Sequence, residues 1–160
     1  TTTTLANEFI SSGEYDKVDG IWTSGMDSQV VDAVKAAGKP YKPIVGADLG
    51  AFAKYLLDDV NYPGLVGAAV TNTASVGGAG VNLALKLLNG ETPSATDPAF
   101  PNTILLSPVL ADNQTDEGKA TLKSWQVVEG LSPLWPLSVT IPDWTTYDPA
   151  QAVACKGPGE

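Results

Sequence analysis

The chain contains no histidine. That excludes Ser-His-Asp triads, histidine metal sites and the usual neutral-pH proton shuttle. It has a single cysteine, Cys155, so neither an internal disulfide nor a CxxC motif can form. The thiol is either a small buried or free group, or one that pairs outside the chain. Positive charge is scarce. Nine Lys and Arg against 18 Asp and Glu give a net charge of −9, with no basic cluster. Nucleic acid is therefore a poor partner, because phosphate binding runs on clustered cations, and an anionic membrane surface is disfavoured for the same reason. No apolar run approaches the roughly 20 residues that span a bilayer. The opening Thr1-Thr2-Thr3-Thr4 offers neither the charged nor the apolar segment of a secretory signal.

What is present is a globular composition. The 160 residues suffice for one domain, and 43% hydrophobic with 17% charged residues is too apolar for disorder. Residues 5–12 carry Leu5, Ala6, Phe9 and Ile10 at helical spacing, with Gly13 as the stop. Residues 18–23 form a short β-rich run. Ser28 can cap a helix whose apolar face is Val30, Val31, Val34 and Ala37, ended by Gly38 and Pro40. A strand is expected over 43–48, a helix around 50–60, a turn at 61–64 and a third, nearly all-apolar strand over 65–71. Thr73 or Ser75 can cap a long helix reaching Leu88. A proline-broken loop over 91–102, a fourth extended stretch over 103–110, a helix over 115–129 and an irregular Trp- and Pro-rich tail complete the pattern. Strands alternating with amphipathic helices predict a three-layer α/β fold, with a mainly parallel sheet of about four strands joined by right-handed crossovers. The expected division is a lobe over 1–113 followed by a helix and tail over 114–160.

In parallel sheets ligands sit beyond the carboxyl ends of the strands, so the residues just after each strand are the informative ones. Here they are 24–27, Asp48 with Leu49, 71–73, and, less directly, Asp112 and Asn113. Carboxylates and carboxamides suit vicinal hydroxyls, since each can bridge two neighbouring O–H groups, and a charge-assisted bond is stronger than a neutral one. Trp22 lies beside the first strand end, where an indole face can stack on a pyranose. Each residue also has an ordinary structural reading. Asp27 and Asp48 each precede a helix and can serve its dipole or cap, Thr71, Asn72, Thr73 and Ser75 are common capping residues, and Trp22 can be core. Other chemistry is poorly served. Gly77-Gly78-Ala79-Gly80 lies inside a helix with no phosphate-binding lysine after it, and no carboxylate spacing supports glycoside hydrolysis. No enzyme activity, cofactor or metal is expected.

The segments Asp19-Gly20-Ile21-Trp22-Thr23, Val45-Gly46-Ala47-Asp48 and Gly67-Ala68-Ala69-Val70-Thr71, leading into Gly77 and the run from Leu83 to Glu91, resemble the carboxyl-terminal lobe of ribose-type periplasmic sugar-binding proteins. The likeness spans about residues 5–113, and the ending YDPAQAVACKGPGE is similar to the tail of a subgroup of sugar-importer binding proteins. The resemblance implies a solute-binding component of a bacterial sugar ABC importer, in which two lobes close on a sugar held between them and the closed form meets a membrane permease. It implies that Asp48 bonds sugar hydroxyls and that Thr71, with Asn72 beside it, does likewise where ribose binders usually carry glutamine. Gly25, Met26 and Asp27 occupy the stretch where such proteins place an amide or an acid. The ligand-binding set is thus expected to be Asp48, Thr71, Asn72, Asp27, Trp22 and Met26, for a monosaccharide or related polyol. The likeness also implies an amino-terminal lobe not contained in this chain, so that the chain is read as a truncated piece supplying half a site. A periplasmic or extracellular location follows, with a lipid anchor as an option. The rival reading is the effector-binding domain of a lactose-repressor-type transcription regulator, which shares the fold; a flavodoxin-like enzyme would need a cofactor site the sequence does not offer. Trp125, Trp135, Trp144 and Tyr147 crowd the last 40 residues or so. They either cross to another lobe or pack on their own, and with the other lobe absent some of the rings are expected to be exposed as an association patch.

Overall fold

The computed structural model describes residues 1–91, 99–100, 103–125, 132–145 and 148–154. Cys155 and Tyr147 lie outside them. The fold is of the three-layer α/β class, built on one mixed, mostly parallel sheet. The order of elements is α1 (Thr2–Ser11), a 3₁₀ turn (Glu14–Lys17), β1 (Ile21–Trp22), α2 (Asp27–Ala36), β2 (Ile44–Ala47), α3 (Gly50–Leu56), β3 (Gly67–Val70), α4 (Val76–Leu88), β4 (Leu110–Asp112), α5 (Asp116–Ser124) and α6 (Pro149–Ala154). The chain divides into two compact units. One comprises Thr1–Asn72 with Val109–Leu137, the other Thr73–Pro108 with Ser138–Glu160. The boundary expected at 113/114 falls inside the first unit.

In the first unit the strands lie in the order β1-β2-β3-β4. β1, β2 and β3 are parallel, with Ile21 opposite Ile44 and Ile44 opposite Gly67. Two consecutive crossovers of one hand, each stepping to the next strand in the same direction, put both connecting helices on the same side of the sheet. That side is the core. Ile44, Ala69 and Ala111 of the sheet meet Val31 of α2, Phe52, Ala53 and Leu56 of α3, and Leu122 of α5. Side chains alternate between faces along a strand. The opposite face therefore carries Trp22, Val45 and Leu110, all three exposed.

Two sequence expectations shift. The fourth extended stretch, expected over 103–110, pairs only from Leu110, and it runs antiparallel to β3, with Ala69 opposite Ala111. Thr71 and Val109 exchange backbone and side-chain bonds just beyond, at 2.9 Å each. The first strand, expected over 18–23, shortens to two paired residues because it is the sheet edge and only β2 lies beside it. Helix starts moved as well. α2 begins at Asp27, one residue before the expected Ser28 cap, and Met26 at its N-cap makes no side-chain bond. Neither does Ser75 at the start of α4. Thr115, by contrast, caps α5 through its hydroxyl, which accepts from the Gly118 amide at 2.9 Å. That helix ends at Ser124, and Trp125 turns into the core.

The second unit holds α4 and the segment 138–145. Ser75 donates to the carbonyl of Val139, and Thr145 donates to the same carbonyl at 3.0 Å while accepting from the Ile141 amide at 2.7 Å. Asn82 donates to the carbonyl of Trp144 at 2.5 Å. These bonds fix an irregular segment against a helix without regular pairing.

Candidate functional site: the carboxyl edge of the sheet

The three parallel strands deliver their following residues to one edge of the first unit. After β2, Asp48 is fully buried. Its Oδ1 accepts the backbone N–H of Asn72 at 2.9 Å, and its own amide donates to Val70 at 3.1 Å. The carboxylate thus ties the loop after β2 to the loop after β3. It does not cap α3, whose N-cap is Leu49.

Asp27 is also fully buried. Its Oδ2 accepts the Ala47 amide at 3.1 Å, while Oδ1 has no hydrogen-bond partner among the described residues. The carboxyl lies directly over Gly46, so close that a methyl group there would overlap it. Burial pushes the Asp27 carboxyl above the ordinary carboxylate range, the Ala47 and neighbouring amides pull it back in part, and the charge of Asp48 raises it further. Its neutral form is therefore less disfavoured than that of an ordinary surface carboxyl.

The other candidates face outward or sideways. Trp22 is 78% exposed and Met26 40% exposed, so both are open to solvent at the end of β1. Asn72 is exposed, its backbone N–H engaged by Asp48. Thr71 is half-buried, and its hydroxyl oxygen accepts the Val109 amide at 2.9 Å. The edge therefore brings all six expected residues into one unit and sorts them in two. Asp27, Asp48 and Thr71 are engaged with backbone amides, whereas Trp22, Met26 and the side chain of Asn72 are accessible.

Asp112 and Asn113, expected less directly at this edge, lie instead at the opposite edge of the sheet, because β4 runs antiparallel to β3 and ends beside Gly67, and both have structural duties there. Asn113 is buried, with its Oδ1 accepting the Gly67 amide at 3.0 Å and its amide donating to the carbonyls of Leu56 at 3.1 Å and Leu65 at 2.8 Å. Asp112 accepts the amides of Gln114 and Thr115, both at 2.7 Å, and those bonds hold its carboxyl below the ordinary range. It organises the entry to α5.

The segment 132–137 was not foreseen at this edge. Gly50 donates to the Trp135 carbonyl at 3.0 Å, Ala51 to Pro133 at 2.8 Å, and Leu137 to the carbonyl of Asp48 at 2.8 Å. It straps the start of α3 and covers Asp48. The two free amides at the head of α3 needed acceptors, which was a signal available in sequence; the identity of the strand-like segment that supplies them was not. The Trp-rich tail accordingly packs on its own units. Trp125 is 9% exposed in the first-unit core, Trp135 is partly buried within the strap, and Trp144 is partly buried within the second unit. The exposed indole is Trp22, far from the tail in sequence.

Among the described residues no three His, Cys, Asp or Glu side chains converge as a metal site, and no helix is long and apolar enough to cross a membrane. No family model, curated protein or solved structure matches this chain.

Proposed function

We propose that the chain binds a sugar or polyol without chemical turnover, as one half of the site of a solute-binding component of a bacterial ABC importer. The observation that carries this reading is the convergence at one sheet edge of polar residues from three successive strand ends, locked together by the Asp48–Asn72 bond. In this reading the labour is divided. Asp48 and Asp27 hold the loops, so that Asn72 is presented at a fixed place and orientation. The exposed side chains make the contacts, Asn72 by bridging vicinal hydroxyls and Trp22 by stacking on the C–H face of a ring. Met26 lines the entrance beside them. The second half of the site is supplied by another lobe, and closure of the two forms the surface a permease reads. The absence of any basic cluster argues against a nucleic-acid partner.

Isothermal titration of pentoses, hexoses and inositols tests this, using the chain and the longest natural polypeptide that contains it. Saturable binding of one class is expected, weakened about threefold to tenfold by Trp22→Ala and more strongly by Asn72→Ala. Binding by neither polypeptide, or binding indifferent to both substitutions, refutes the assignment.

A further inference from the structure

The second unit contains a cleft that the sugar reading leaves unused. Val76, Ala79, Gly80 and Leu83 recur at three- and four-residue steps along α4 and form one wall, with Leu106 and Trp144 also lining a space of ≈ 150 Å³. Engineered apolar cavities of about this size admit benzene. Gly80 matters to the opening, because a Cβ there would meet nothing within 4 Å.

Lys86 extends the same stripe of α4 by one more step from Leu83. Its ammonium lies 4.8 Å from the centre of the Trp144 ring. The ion pairs among the described residues are Lys17 with Glu14 and Lys39 with Asp16, so Lys86 is matched with an aromatic face and not with a carboxylate. Trp144 itself is held by the bond from Asn82 to its carbonyl and follows Asp143, whose φ of 67° sets the turn that aims the loop. In a chain of net charge −9 an anion finds few such places.

We propose that this cleft binds a small amphiphilic anion, a compact aromatic or branched hydrocarbon bearing one carboxylate. The hydrocarbon fills the space along Ala79, Gly80 and Leu83, and the carboxylate pairs with Lys86. The Trp144 ring serves both, as an apolar wall and as the surface that orients the ammonium. The inference is independent of the sugar site, which lies in the first unit.

Phenylacetate is the probe, measured by equilibrium dialysis against the full chain. Saturable binding is expected. Lys86→Met, which keeps the aliphatic stem, weakens it about fivefold to tenfold, while the neutral 2-phenylethanol binds both proteins alike. Gly80→Leu fills the cleft from a position with room for the side chain, and abolishes binding of both probes while leaving the circular dichroism and unfolding midpoint intact. The proposal is overturned if phenylacetate does not saturate, if its binding survives Gly80→Leu, or if Lys86→Met leaves its affinity unchanged. Sedimentation that reveals a dimer broken by Gly80→Leu would assign the cleft to a second copy of the chain and overturn it equally.

Discussion

Gly46→Ala places a methyl group where the Asp27 carboxyl sits, overlapping Oδ1 and Cγ and coming to 2.8 Å from Oδ2. Asp27 is fully buried in the first turn of α2, so its carboxyl has no open side to which it can swing. Either α2 shifts away from β2 or the bond from the Ala47 amide to Oδ2 breaks. Overpacking of this kind costs about 1–3 kcal/mol, and a stranded buried amide about 1–3 kcal/mol more. Gly46→Ala is thus expected to destabilise by about 2–5 kcal/mol, a large part of the stability of a small domain. Asp27→Ala loses the same bond but also removes a buried acid whose Oδ1 is unpartnered, so its net cost is smaller, about 1–2 kcal/mol. In the double variant the methyl of residue 46 enters space the carboxyl has left. The two effects cannot add, and a coupling of at least about 1.5 kcal/mol in favour of the double variant follows. Urea unfolding followed by far-ultraviolet circular dichroism measures all four corners of the cycle. Additivity within about 0.5 kcal/mol would show that the carboxyl does not lie over Gly46, and the account of the β2 edge would fall with it.

Asp27→Asn isolates the same group by pH. Its folded-state value is raised above the ordinary 3.8, so the fold favours the neutral acid; that contribution is complete below the ordinary value and is lost as pH rises through the raised one. The stability of Asp27→Asn relative to wild type should therefore increase between about pH 4 and pH 7, and a difference that stays flat or declines in urea titrations across that range contradicts the assigned burial. Asn113→Ala removes three bonds, to the backbone of β3, of the end of α3 and of the connection between them, stranding the Gly67 amide, and should cost about 2–4 kcal/mol in the same assay; a loss below about 0.5 kcal/mol would mark the site as hydrated.

Much of the fold was legible in the residues. Apolar runs bounded by Gly and Pro gave β2 and β3, and the 3.6-residue spacing of Val31 and Val34, or of Phe52 and Leu56, gave α2 and α3, because both periods report which face must leave water. Strand–helix alternation favours parallel pairing, because a helix between two strands supplies the crossover that parallel neighbours need, and it holds for β1, β2 and β3 but not for β4. Asp27, Asp48, Thr71 and Asn72 could be assigned to one edge for the same reason, as every parallel strand ends there.

Tertiary structure decided what those residues are able to do. Asp48 followed by a helix reads as a cap or as a ligand group, and nothing local distinguishes them. The segment 132–137, more than 80 residues away, buries it, and the Asn72 amide claims its oxygen. Asp27, at the start of α2, can be a buried acid only because Gly46 of β2 has no side chain. The fourth strand runs antiparallel, with Thr71 and Val109 bonded to each other just beyond it, a pairing that the extended pattern over 103–110 does not encode. Periodicity records whether a residue prefers to be covered; which distant segment covers it, and therefore whether a carboxylate faces water or a backbone amide, is settled only when the chain closes on itself.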